Sequence, residues 1–409
     1  MKTNIVIIGA GQAGIMAAIS LRKVKYDGKI ALFTNEKYFP YQRPPLSKGY
    51  LSGKIQEKNL YFKTNTFYEK KDIQIIRNTK VTAINRETKT ILANNKQEYS
   101  YDKLIISTGS TTRKLNFTCN EKNIFYLRTL DDANKIRERL GQLESIVIIG
   151  AGYIGLETAA ILTKKNIEVT IIEMEKRVMK RSVCKTTSLF FQEKHRGEGV
   201  NLKLNVSVTD INDHKDQKRV IASDGSVIDA DAVLIGVGVK PNADLAINSG
   251  LLCENGILVN QYGKTSDDDI YAAGDCTNYL NTIYHKRINI ESVHNAIEQA
   301  KTVAAAINGS TESWDQIPRF WSNQYDLKLQ IAGISDDFEQ CVIRGKTEDN
   351  KFSIFYLKAH KVIAIESIND NKTFLHGKKI IGAKKSIPIK ILADSDSDLK
   401  KVISSDKKF

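Results

Sequence analysis

No two cysteines stand close together in this 409-residue chain: Cys119, Cys184, Cys253, Cys276 and Cys341 are scattered and odd in number. Neither a Cys-x-x-Cys nor a Cys-x4-Cys spacing occurs, so the pattern offers no internal dithiol, and free thiols in a reducing compartment are expected. Also missing is any apolar run near the roughly 18 residues that span a membrane. A strand-like run begins almost at Met1, which leaves no room for a signal or transit segment, and the expected location is the cytoplasm. No aromatic-interleaved basic motif or nucleic-acid module occurs, which ranks DNA and RNA low as partners. At this length one ordinary hydrophobic core does not suffice, and two or three domains are expected.

What the chain does have is one glycine pattern used twice, Gly9-Ala10-Gly11-Gln12-Ala13-Gly14 and Gly150-Ala151-Gly152-Tyr153-Ile154-Gly155. A β-branched run leads into each, Ile5 to Ile8 and Ile146 to Ile149, and an alanine-rich helical stretch leads out. In such a unit two glycines turn the chain and admit a pyrophosphate. The third allows close strand–helix packing, and the helix N-terminus meets the negative charge. An acid roughly 20 positions later should grip a ribose hydroxyl. Glu36 and Glu173 follow the next strand-like runs and complete both units. Glu173 favours a free 2′-hydroxyl over a 2′-phosphate, hence NADH. Lys176 and Arg177 are close enough in sequence to hold a phosphate if the loop folds back, though such residues more often form a solvated turn.

Two dinucleotide cradles in one chain point to a flavin enzyme fed by a nicotinamide. A disulfide-reducing relative needs two close thiols, and a peroxide-reducing one needs a reactive cysteine in the loop after the first unit. The segment Phe39 to Lys48 contains none. Electrons are therefore expected to leave the flavin for an acceptor outside the chain. Cys276, after Asp275, reads as a small packed residue.

Further landmarks accumulate along the chain: Arg43-Pro44-Pro45-Leu46-Ser47-Lys48, Ser107-Thr108-Gly109, Leu127 to Ala133, Gly236-Val237-Gly238 with Pro241-Asn242, Tyr271 to Asp275, Glu291 to Ala296, and Phe320 to Tyr325. Together with the cradles they resemble the NADH-dependent ferredoxin reductases that serve oxygenases and cytochromes P450. They resemble, more distantly, the redox-responsive flavoproteins of the apoptosis-inducing-factor type. The resemblance implies an α/β fold with two Rossmann-type domains in a glutathione-reductase-like arrangement and a C-terminal α/β domain with an antiparallel sheet. It places a discontinuous FAD domain at 1–108 and 241–312, an NAD domain at 109–240 and a C-terminal domain at 313–409. Turn residues after Leu104 to Ile106 and after Val233 to Ile235, and Gly309-Ser310 after a helical stretch, punctuate the chain accordingly. Alternating runs at 352–357 and 362–365 read as antiparallel strands, and the tail from Asp394 as a charged helix.

The resemblance also implies roles. FAD contacts fall on Gly9, Gly11, Ala13, Gly14, Glu36, Arg43, Lys48, Val81, Thr108, Gly109, Arg113, Gly274, Asp275, Ser292, Val293 and Trp321. NAD contacts fall on Gly150, Gly152, Tyr153, Ile154, Gly155, Glu157, Glu173, Gly236, Val237 and Gly238. Hydride transfer to a flavin leaves an anionic ring that needs positive charge or dipoles nearby. Lys48 paired with Glu157 is the expected catalytic pair, and a helix beginning near Asn295 is an expected source of amide dipoles. Read from its neighbours alone, Lys48 is a solvated lysine after a Pro-Pro turn. Trp321 reads either as a cover for the flavin and exit route for electrons or as a core aromatic. Arg43 and Arg113 offer forked donors to phosphate. Two positions depart from the family: Thr111 stands where relatives carry a second arginine, and Asn323 where they often carry aspartate.

The implied acceptor is an acidic 2Fe–2S ferredoxin. The excess of 61 basic over 47 acidic residues, a net +14, would steer such a partner. A Lys-, Asn- and Ile-rich proteome would produce the same excess. The alternatives are a rubredoxin as acceptor, or a redox-responsive FAD/NAD binding protein with slow turnover. No membrane partner is expected, and either a monomer or a homodimer fits.

Overall fold

The run Asn4–Ile8 forms a strand whose alternation divides its apolar residues between two cores. Ile5 and Ile7 join Ile15, Leu21 and Ile105 on one face. Val6 and Ile8 join Phe33, Leu104 and Ile106 on the other. A strand that is apolar on both faces needs cover on both, the situation of a parallel sheet inside an α/β unit. That sheet runs Ile270–Ala272, Lys103–Ile106, Asn4–Ile8, Lys29–Phe33, Ile73–Ile76, with every neighbouring pair parallel. The helices Gln12–Lys23 and Val293–Ile307 pack together and contribute Ile15, Ala18, Ala300 and Val303 to one face. An antiparallel sheet of Val81–Asn85, Thr90–Ala93 and Glu98–Ser100 brings Val81, Ile84 and Ile91 to the other.

This computed structural model describes residues 4–117, 119–313 and 316–404. The chain forms two units, and the sheet above belongs to the first, made of Met1–Arg43, Glu57–Thr111 and Lys240–Phe320. The second comprises Pro44–Gln56, Thr112–Val239 and Trp321–Phe409.

The second unit repeats the same device. A parallel sheet runs Asn201–Leu204, Glu168–Glu173, Ser145–Ile149, Ala232–Ile235, Ile124–Phe125. Val147 and Ile149 pack with Ile211, Val220 and Val233 beneath a three-stranded antiparallel sheet of Val208–His214, Gln217–Ala222 and Val227–Ala230. Further along, five strands form a sheet in the order Arg319–Gln324, Leu327–Gly333, Lys361–Ile368, Lys351–Lys358, Gln340–Lys346. Its pairs from Leu327–Gly333 through Gln340–Lys346 are antiparallel. The helix Asn371–Ala383 packs on it, started by Asp370 accepting from Thr373 N. The expected fold class is thus present: parallel α/β sheets and a C-terminal antiparallel sheet. Among the described residues no helix is long and apolar enough to cross a membrane.

Candidate functional site

Both glycine cradles sit between a strand end and a helix start, and within each the glycines serve different ends. Gly9 and Gly150 hold φ of +106° and +101°, a region disfavoured for residues with a side chain. A Cβ there would also run into Ser107 O and Gly236 O of the neighbouring strand ends. At Gly14 and Gly155 it would collide with the carbonyls of Gly9 and Gly150, so these positions set the strand–helix approach. Gly11 and Gly152 differ, because beyond the adjoining residues of the chain a Cβ would meet no atom of the described residues within 4 Å at either. No packing demand accounts for the middle glycine; room for a close-lying pyrophosphate does.

The helix starts agree. Gln12–Lys23 and Tyr153–Thr163 begin without a side-chain cap and without an acid in the first turn. Elsewhere Leu130–Arg139 carries a Thr129–Asp132 capping box, and Val293–Ile307 is capped by Ser292. A helix start without a side-chain cap, beside a bare glycine, suits an anion, so both cradles fit a dinucleotide pyrophosphate.

The two acids of the pattern are held differently. Glu36 accepts from Arg43 at 2.5 Å and from the Tyr41 hydroxyl at 2.5 Å. Glu173 instead accepts from backbone amides, Ala151 N at 2.7 Å and Glu175 N at 2.8 Å, which ties it to its own cradle. Arg177 donates to the carbonyls of Lys180, Val183 and Cys184, so its guanidinium is committed to the loop.

Within the first unit, Ser107 Oγ donates to Ile8 O and Gly9 O, and Thr108 Oγ1 to Asn242 O. The Gly109 carbonyl accepts from Asn242 N. Gly274, at φ +89°, faces Ala13 so closely that a Cβ would lie 2.9 Å from that methyl group. Asp275 accepts from Ser110 Oγ at 3.0 Å. Ser292 accepts from Asn295 N, which sets the start of the helix at Val293. Val81 is a core residue of the small sheet. Thr111 Oγ1 bonds Asn242 Oδ1 at 2.7 Å.

The second unit holds Lys48, Arg113 and Trp321 from the expected FAD set. Arg113 N donates to Gly238 O and its Nε to Val239 O, which fastens it to the Gly236–Gly238 turn. Gly236 N donates to Ile149 O at 2.8 Å, beside a half-buried Val237. Ile154 is exposed, while burial pushes the Tyr153 hydroxyl above its ordinary range. Trp321 is half-buried, and Asn323 points to solvent.

A buried polar group in this unit surrounds Glu157, on the helix after the second cradle and only 2 % exposed. Lys48 Nζ and Ser47 Oγ both donate to its Oε2 at 2.6 Å. Ser322 Oγ donates to Oε1 at 2.7 Å. Three donors, one of them cationic, compensate the cost of burying a carboxylate. Lys48 in turn is held at a defined place instead of trailing in solvent. Sequence reasoning assigned no role to Ser47, Ser322, Gln324 or His195, all of them buried. Two of these had a signal: Ser322 and Gln324 alternate on one strand and turn polar side chains inward, which a core tolerates only when they have partners.

All five cysteines are free. Cys276 is wholly buried, its thiol directed at the carbonyls of Ile106 and Ala273, and burial raises its pKa to about 11.

The pyridine nucleotide-disulphide oxidoreductase family matches residues 3–300, and the reductase C-terminal family matches residues 319–403. The chain is similar to the putidaredoxin reductase of Pseudomonas putida, 36 % identical over 99 % of this chain and 97 % of that protein. Among solved structures it is similar to the ferredoxin reductase for the CYP199A2 system of Rhodopseudomonas palustris. That likeness has a TM-score of 0.95 and 40 % identity, and covers 98 % of this chain and 100 % of the other. The reductase in a covalent putidaredoxin reductase–putidaredoxin complex matches with a TM-score of 0.95 and 36 % identity over 98 % of both chains. With both cradles fitting their nucleotides and likeness along nearly its whole length, the chain belongs to the pyridine nucleotide-disulphide oxidoreductases, flavin enzymes that use FAD and NAD(P)H.

Proposed function

We propose that the chain is an NADH-dependent ferredoxin reductase that passes electrons one at a time to a small acidic 2Fe–2S protein serving an oxygenase or cytochrome P450. Bound FAD supplies the chemistry, accepting two electrons as hydride from the nicotinamide and releasing them singly. The observation that carries the reading is the Lys48–Glu157 pair at 2.6 Å, which fixes a cation for a ring that becomes anionic on reduction. Support for an external acceptor comes from the solved complex of a similar reductase with putidaredoxin, and from five cysteines that are all free.

In this reading the first cradle, Thr108, Gly109, Gly274, Asp275 and the Ser292–Val293 helix start hold FAD. The second cradle, Glu173 and Gly236–Gly238 hold NADH. Glu173, fixed by Ala151 N and Glu175 N, suits a free ribose hydroxyl, and the engagement of Arg177 with loop carbonyls removes one candidate for a 2′-phosphate. The reading keeps the three-domain division at 1–108 with 241–312, 109–240 and 313–409. It also keeps a cytoplasmic location and a monomer or homodimer. The net charge of +14 suits an acidic partner.

The test is a comparison of acceptors. Purified enzyme with NADH is expected to reduce a 2Fe–2S ferredoxin or a one-electron dye far faster than peroxide, oxygen or a disulfide. A disulfide or peroxide as the better acceptor overturns the proposal. A reduced complex with NAD that persists in air despite added ferredoxin assigns the redox-responsive alternative.

A further inference from the structure

Beyond Ser322 the polar contacts of Glu157 continue without a break. Gln324 Nε2 lies 3.2 Å from Ser322 Oγ, and Gln324 Oε1 lies 2.9 Å from His195 Nε2. His195 Nδ1 lies 3.1 Å from the Tyr325 hydroxyl. Ser322, Gln324 and His195 are each no more than 1 % exposed, so water does not compete for these bonds. All belong to the second unit.

The direction of the chain follows from donor chemistry. Glu157 only accepts, so Ser322 gives it its proton and must itself accept from Gln324. Gln324 is held in that sense because its amide nitrogen also faces Met179 Sδ at 3.9 Å. Its oxygen is left for His195, which therefore carries its proton on Nε2 and presents a bare Nδ1 to Tyr325. Burial lowers the pKa of His195 to about 4, so the ring is neutral near pH 7, as this pattern requires. Every O–H and N–H bond from Tyr325 to Ser322 thus points toward Glu157, and bonds aligned head to tail reinforce one another. Met179 adds a second tie, since its amide donates to Ala151 O of the cradle.

We propose that Tyr325, His195, Gln324 and Ser322 form a one-directional hydrogen-bond chain that positions the Glu157 carboxylate, and through it Lys48, for hydride uptake. None of the four is a catalytic residue in this scheme. Each acts through Glu157, and the inference rests on the role given to that residue above.

The experiment uses the full-length, FAD-loaded protein and two readouts. In the first, ¹⁵N NMR of the imidazoles reads the tautomer of His195. The expected state is protonated Nε2 with bare Nδ1 at pH 7, and Gln324→Leu is expected to abolish that fixed state. In the second, stopped-flow reduction by NADH separates the rate at saturation from the dissociation constant. Gln324→Leu and Ser322→Ala are expected to slow saturated reduction about tenfold, the scale on which loss of alignment acts, with NADH affinity changed less than twofold. Ser322→Thr, which keeps the hydroxyl, restores the rate. Tyr325→Phe, at the half-buried end, is expected to give the smallest slowing. In a Glu157→Gln background Gln324→Leu should have no further effect on the rate.

An Nδ1–H tautomer, or Gln324→Leu slowing reduction equally with and without Glu157, overturns the positioning chain. If Glu157→Gln itself leaves reduction unchanged, the failure lies with the assignment of Glu157 in the proposed function.

Discussion

Two carboxylates of the second unit are almost equally buried, Glu157 at 2 % exposure and Glu366 at 1 %, yet they are held by different donors. Glu157, on the helix after the cradle, has a lysine and two hydroxyls on its oxygens. Glu366, on the strand Lys361–Ile368, accepts from Cys184 N at 3.1 Å and has the Thr187 and Tyr356 hydroxyls beside it, while the nearby Arg177 guanidinium is engaged with loop carbonyls. Burial pushes the Glu366 carboxyl above the usual carboxylate range, which favours its neutral form. Burial alone therefore marks neither residue as functional. What separates them is which donors the fold supplies, a lysine ammonium bonded to one and neutral groups at the other.

The largest effect is expected where those donors converge. Glu157→Ala should slow flavin reduction by NADH roughly 100-fold, a loss of about 3 kcal/mol of barrier lowering, while FAD stays bound. Stopped-flow absorbance measures the rate and the visible spectrum the retained flavin. If the same substitution at Glu366 slows reduction as much, the contrast between the two is wrong.

His195 sharpens the comparison from the basic side. Its pKa is about 4 in the folded chain against an ordinary 6.5, so between those values the unfolded chain binds more protons than the folded one. Stability should therefore fall as pH drops from about 6.5 to about 4, by roughly 3 kcal/mol. The groups around the ring are Gln324, Tyr325, Lys194 and Glu198. Urea unfolding at several pH values should show this slope in the native chain and a flatter one in His195→Phe.

Glu173 extends the comparison to a half-buried carboxylate held by two backbone amides. Glu173→Ala should weaken NADH binding about tenfold and narrow the preference over NADPH, near the scale of one hydrogen bond to a charged group. Titration of both nucleotides measures it, and a native enzyme that prefers NADPH contradicts the assignment. The smallest change belongs to Glu366→Gln, which at pH 5 should alter stability by less than about 1 kcal/mol, because a neutral group replaces a neutral group. As pH rises above 4.5 the folded chain holds a proton that the unfolded chain releases, so native stability should decline relative to the variant. A variant that is equally destabilised at every pH would mean that Glu366 is charged in the fold.

Much of the fold was legible because its signals are local. Ile5 to Ile8 and Ile146 to Ile149 announce doubly covered strands, and the glycines after them require a turn, so the parallel sheets follow from short windows of sequence. The strands Lys351–Lys358 and Lys361–Ile368 showed through their apolar alternation in the same way. Contacts across long separations were beyond that kind of reading. Lys48 could be linked to Glu157 only through resemblance, since nothing in a Pro-Pro turn announces a partner 109 positions away. The bond from His195 to Gln324 spans 129 positions, and a histidine in an amphipathic helix reads as ordinary until the strand beside it is known. The difference between Glu36 and Glu173 was equally hidden, because each comes at or just past the end of the strand after a glycine cradle and only the fold shows which has an arginine beside it.

The middle glycines have one more consequence. Since, chain neighbours aside, no atom of the described residues lies within 4 Å of where a methyl group would stand at Gly11 or Gly152, the polypeptide gains nothing for its own packing from leaving those positions bare. Folding and cofactor loading are thus written at different letters of the same short motif. On the proposed assignment, a chain altered at Gly11 should keep its shape and lose its yellow colour, while one altered at Gly152 should keep both and lose its grip on the nicotinamide, kinds of damage that a screen for misfolded protein passes over.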